Sequence, residues 1–188
     1  FYKPSYSTHQ GVFAEIPDEV LMTEVLTPTI MQEVESEEMA TPDGKKNLIL
    51  KKTSVGSQVT YESAVTNESG ESQIVSEIST TLQEQYHIPY NTWSPDNSYF
   101  FLTVEADGQK NYKVFRASGE PFHGDFPFLN ISEIFSNQMS DYVIENATGW
   151  ASPTLIVVNT ASIDSAKKVS FWFDVPSQKM IQLGTYFE

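Results

Sequence analysis

The sequence predicts an all-β domain of about three four-stranded antiparallel units of the propeller-blade type, forming a partial, unclosed ring behind an N-terminal arm. Three observations predict it. Short apolar segments recur along the chain, bounded by turns rich in Pro, Asp, Asn and Gly. Proline turns recur at Pro42, Pro95 and Pro153, 53 and 58 residues apart. About four short strands fit into each such interval, which is the size of a blade. An unrelated antiparallel sandwich with similar turns is the competing architecture.

Residues 1–36 are assigned to the arm, a linker or docking segment. It holds three of the ten prolines and runs into an acidic stretch, Glu33, Glu35, Glu37 and Glu38, that crosses its end. Asp18 to Leu26 has the N-cap and spacing of a short helix, although an extended path fits equally. The β domain is assigned to residues 37–188, with units at about 37–82, 83–138 and 139–188.

In the first unit, Thr41-Pro42-Asp43-Gly44 is a turn, and Leu48-Ile49-Leu50 is the centre of the strand after it. Val59, Tyr61, Ser63 and Val65 alternate, as on a strand with one buried face. Asn67 to Gly70 turns the chain, and Gln73 to Ile78 forms a further strand with Ile74 and Ile78 on one face. In the second unit a strand ends at Trp93, Ser94-Pro95-Asp96-Asn97 is a tight turn, and Tyr99 to Val104 is a densely apolar strand. Pro95 presets φ, while Asp96 and Asn97 tolerate turn dihedrals. Asp107-Gly108 is a hairpin signal. The next strand, Asn111 to Arg116, places Tyr112 and Val114 on one face and Phe115 on the other.

Phe122 to Gln138 is an insertion relative to the first unit. Asn130-Ile131-Ser132-Glu133 has capping-box spacing, which predicts a helical turn through Phe135. In the third unit, strands are expected at Tyr142 to Asn146, Leu155 to Val158, Val169 to Val175 and Met180 to Leu183. Trp150-Ala151-Ser152-Pro153 repeats the Trp-Ser-Pro turn with one residue inserted.

Composition bounds the function. The chain has 188 residues, 39% apolar and 13% aromatic, enough for a real core. Eleven basic residues against 25 acidic ones give a net charge of −14. This argues against nucleic acid and anionic membrane surfaces, which require cationic patches. With no cysteine there is no disulfide, thiolate nucleophile or Cys-based zinc site. No apolar run is long enough to span a bilayer. The first residue is Phe1 rather than Met, so a fragment or processed form is expected, with any signal or anchor upstream.

Catalytic, cofactor-binding and metal-ligating residues are not expected. His9, His87 and His123 form no H-E-x-x-H or His-x-His pattern. His123, beside Gly124 and Asp125, reads as a loop residue with a local hydrogen bond. No G-x-S-x-G nucleophile motif is present. The acidic run lacks the calcium-loop pattern and reads as a solvated face. Asn67, Asn130 and Asn146 head glycosylation sequons, meaningful only in a eukaryotic secretory setting. Phe122, Phe126, Phe128 and Phe135 crowd the insertion. They are the candidate partner-binding residues, with packing against a sheet edge as the alternative.

The repeats resemble the TolB-like, WD40-like propeller family, whose blades carry a Trp-Ser-Pro-Asp-Gly turn before an apolar strand. Trp93-Ser94-Pro95-Asp96 matches best, with Asn97 at the glycine position. Pro42-Asp43-Gly44 keeps the end of the motif but has Ala40 in the Trp region. Trp150, Ser152 and Pro153 keep the start but are followed by Thr154. The segment Phe173 to Lys179 is similar to the family's late-blade turn. The resemblance covers residues 37–188. It implies an extracytoplasmic, noncatalytic module for protein interaction or self-assembly, with any membrane tie through an upstream anchor. It carries over no functional residue, since the shared motif is structural. The alternatives are the accessory propeller portion of a larger hydrolase or peptidase, and a carbohydrate-binding surface module with exposed Trp93, Trp150 and Trp172.

Overall fold

The computed structural model describes residues 32–186, which form twelve strands and one helix in three four-stranded antiparallel sheets. The first sheet is β1 (Gln32–Ala40), β2 (Lys46–Val55), β3 (Gln58–Asn67) and β4 (Ser72–Thr81). The second is β5 (Glu84–His87), β6 (Tyr99–Ala106), β7 (Gln109–Arg116) and β8 (Phe128–Asn130). Helix α1 (Ile131–Gln138) follows. The third sheet is β9 (Tyr142–Trp150), β10 (Leu155–Ser162), β11 (Lys168–Asp174) and β12 (Lys179–Tyr186). Each sheet is a meander in chain order, and the three sheets do not close into a ring. The helix expected at Asp18 to Leu26 lies outside the described residues, as does His9.

Two apolar cores hold the stack together. Leu48, Leu50, Val59 and Tyr61 of the first sheet meet Trp93, Phe100, Leu102 and Phe115 of the second. Phe101, Tyr112 and Val114, with Phe135 of α1, meet Ile156, Val158, Phe171 and Phe173 of the third. The middle sheet is therefore buried on both faces. That is why β6 reads as an apolar run rather than an alternation. In β11 strict alternation places Val169, Phe171 and Phe173 inward.

Local chemistry explains the connections. Asp107 and Gly108 join β6 to β7 with φ of 52° and 74°, the paired left-handed geometry of a two-residue hairpin turn. Asn130 caps α1, its side chain accepting from the Glu133 amide at 3.3 Å.

Four expectations are corrected. The acidic run is not arm but the body of β1. It pairs through its main chain with β2, and its glutamates line an edge strand, where charge discourages further pairing. The strand expected to end at Trp93 stops at His87, and Trp93 instead makes a lone bridge with Phe100. The insertion supplies the fourth strand of the middle sheet as well as the helix. Ile74 is 58% exposed, and Val75 is buried in its place. The register slips between Ser63↔Ser76 and Ala64↔Ile74, so Val75 is an extra residue on β4 and the side chains beyond it change face.

Candidate functional site

The proline turns are the joints of the stack. Pro42, Pro95 and Pro153 each lie between the first and second strands of their sheets. In the first turn, the Thr41 hydroxyl donates to Asp43 Oδ1 at 2.7 Å and accepts from the Lys46 amide at 3.0 Å. Ser94 does the same in the second turn. It donates to Asp96 Oδ1 at 2.7 Å and accepts from the Tyr99 amide at 2.9 Å. Asn97 takes φ 57° where Gly44 takes 72°, so the polar side chain stands in for glycine in the left-handed region. That side chain donates to Asp43 Oδ2 at 3.0 Å, and Lys46 Nζ donates to the Asn97 carbonyl at 3.1 Å, tying the two turns together. The Thr41 hydroxyl and then the Lys45 amide hold the Asp43 carboxyl below its usual range. In the third turn the Ser152 hydroxyl accepts from the Thr154 amide at 3.4 Å, and Thr154 offers no carboxylate where the other turns have Asp.

Each turn indole bonds to the sheet before it. Trp93 Nε1 donates to the Met39 carbonyl at 2.9 Å, and Trp150 Nε1 donates to the Thr92 carbonyl at 3.0 Å. Met39 and Thr92 each stand three residues ahead of their turn proline. Trp93 is buried and Trp150 partly so. Asn91 Nδ2 adds a 3.0 Å bond to the Thr148 carbonyl, beside Gly149 at φ 135°. A groove of about 610 Å³ opens here, walled by Pro42, Tyr90, Trp93, Pro95 and Trp150.

The four insertion phenylalanines do not form one exposed patch. Phe135 is 1% exposed and packs edge-on to Phe171 in the core. Phe128 packs on Phe115 and lies under the Lys113 ammonium at 4.6 Å. Phe122 stacks on Tyr99 and carries the Arg116 guanidinium at 4.9 Å. Only Phe126, at 71%, is open to solvent. The insertion closes the middle sheet and covers Phe122, Phe128 and Phe135 in doing so, leaving Phe126 outside.

The titratable groups tie elements together. His87 Nδ1 and Glu37 Oε1 are 2.8 Å apart, and the other Glu37 oxygen accepts from the Ile88 amide at 2.8 Å. This pair straps β1 to the segment after β5. His123 Nε2 contacts the Gln178 side-chain amide. Lys113 Nζ touches the Tyr86 hydroxyl and sits over that ring. Burial pushes the Tyr86 hydroxyl far above its usual range and lowers the Lys113 ammonium. Among the described residues, no group of three or more His, Asp or Glu is placed to hold a metal ion.

The outward faces of the terminal sheets differ. On the first sheet, a cross-strand row runs Ser36, Lys51, Glu62, Glu77, with Val34, Ile49, Val55, Ala64 and Ile74 scattered around it. On the third sheet, a row runs Gly149, Val157, Trp172, Ile181, flanked by Leu155. Charge crosses one face, and an apolar stripe crosses the other. The sequence reading overlooked Trp172 in this role. The alternation of VSFWFDV carries the signal, since Phe171 and Phe173 inward leave Trp172 outward.

No protein-family model matches this sequence, and no curated protein matches it.

Proposed function

We propose that the chain is a noncatalytic assembly module, a partial propeller whose third sheet docks on another sheet through its outward face. The Val157–Trp172–Ile181 row carries this reading. The two internal interfaces are built by apolar sheet faces pressed together, and this row offers a third face of the same kind. The occupant is a second copy of the chain. The row is self-complementary under a two-fold axis. Lys168, Lys179, Asp174 and Glu145, whose carboxylate lies 3.4 Å from Lys168 Nζ, leave the face near neutral, so it escapes the repulsion expected of a chain with net charge −14. Lys51, Glu62 and Glu77 across the first sheet disfavour head-to-tail stacking and hence open filaments. Four strands at about 4.8 Å spacing give a face whose pairing buries roughly 1,000 Å² in total, the lower bound for a specific interface.

The extracytoplasmic setting rests on the resemblance to TolB-like propellers. A sugar-binding role for Trp93 is disfavoured, because the ring is buried and its N–H is bonded inside. Sedimentation equilibrium of the 188-residue chain tests the assembly. A concentration-dependent dimer at micromolar concentrations is expected, lost in Trp172→Lys with the circular dichroism spectrum unchanged. A monomer across that range rejects the reading.

A further inference from the structure

At the seam between the first two sheets lies a cavity of about 590 Å³ whose wall is cationic in a strongly acidic protein. Lys46, Gln73, Ser98, Arg116 and Ser118 line it, with Glu71 as its one carboxylate. Gln73 Nε2 donates to the Ser118 carbonyl at 2.6 Å and so ties the two walls together.

Arg116 is the unusual member. Its Nε is buried and has no hydrogen-bond partner among the described residues. A buried, unsatisfied N–H on a charged group is costly and calls for a partner. The nearest carboxylate, Glu120, is 3.9 Å from the guanidinium and 73% exposed, too far and too wet to serve. The guanidinium lies on the Phe122 ring, which stacks in turn on Tyr99, so ring contacts hold it in place while its counter-ion Glu120 stays distant and solvent-exposed. Lys46 spends one N–H on the Asn97 carbonyl, and an ammonium has three. Glu71 is engaged by Asn67 and Ser69 within its own turn, at 2.8 and 3.1 Å.

We propose that this seam cavity is a binding site for an oxyanion, carboxylate or phosphate, held by Arg116 and Lys46. An anion there accepts from the exposed part of the Arg116 guanidinium, in the charge-assisted geometry for which a guanidinium is shaped. The site joins the first sheet to the second, so an anionic group on a ligand or partner bound there braces the stack.

The test is an NMR titration of the ¹⁵N-labelled full chain at neutral pH and constant ionic strength. Sodium phosphate and sodium acetate are added in separate series, with sodium chloride as reference. Saturable shifts are expected at the Arg116 Nε–H and at the Gln73, Ser98 and Ser118 amides. Saturation by phosphate alone or by acetate alone assigns the anion class. Arg116→Gln and Lys46→Gln should each weaken binding by about tenfold or more, the loss of one charge-assisted bond. If Arg116→Gln does not fold, Lys46→Gln decides. Shifts that chloride reproduces, that fail to saturate, or that survive in Lys46→Gln mean an adventitious ion only and overturn the proposal.

Discussion

Replacing Trp93 should separate the first sheet from the second. Its ring is 6% exposed and packs edge-on to Phe100 at 5.6 Å, and its N–H reaches back to Met39. Truncating a buried aromatic to alanine costs about 3–5 kcal/mol. The lost bond to the Met39 carbonyl adds about 1 kcal/mol when that acceptor finds no substitute. Trp93→Ala is therefore expected to cost about 4–6 kcal/mol, and Trp93→Phe, which keeps most of the ring, about 1–2 kcal/mol. For a chain of this size, about 2–4 °C of melting temperature follows each kcal/mol, so the alanine variant should melt roughly 8–24 °C lower. Urea unfolding measures both costs, and hydrogen exchange locates them. Protection should fall first in β1–β4, which lose their docking partner, and less in β9–β12. A cost below about 1 kcal/mol for Trp93→Ala would refute the idea that the indole joins the sheets.

Two further outcomes concern the joints between sheets. A Cβ on Gly149 would sit 2.8 Å from the Asn91 Cβ, at a φ of 135° that side chains rarely adopt. Gly149→Ala should cost about 2–4 kcal/mol in urea unfolding, and Asn91→Gly in the same chain should recover the steric part but not the backbone part. Asp43 has its folded pKa lowered from 3.8, so its contribution is present above that value and is lost as pH falls through the folded one. Asp43→Asn should flatten the acid limb of a stability–pH curve below about pH 4 and leave the neutral region's slope unchanged.

Turns and interior strands were the legible parts of this sequence. Their information is local: Pro42-Asp43-Gly44 and Asp107-Gly108 encode dihedrals, and Val59 to Val65 encode a face by alternation. The edge strands were not legible in the same way. β1 is held by main-chain bonds to β2, and its side chains are mostly charged and exposed, so no apolar pattern marks it. Ile74 was misplaced because a single extra residue, Val75, inverts a period-two reading. The insertion phenylalanines form a group by sequence distance only. Folding sends Phe135 to one core and Phe122 to an arginine. The Arg116 cavity draws on β2, β4 and β7 and the turn before β6, a juxtaposition that no single stretch of sequence announces.

The indole bonds have a direction in time as well as in space. Each donor follows its acceptor in the chain, Trp93 by 54 residues and Trp150 by 58. Synthesis from the amino end therefore delivers each acceptor before the ring that seeks it. The first sheet carries Ala40 at the corresponding place and so has no indole to make this bond. As the chain leaves the ribosome, every later sheet emerges beside a finished surface on which to settle. Its apolar face is exposed only for the interval needed to make about fifty residues, a few seconds at ordinary elongation rates of about 5–20 residues per second.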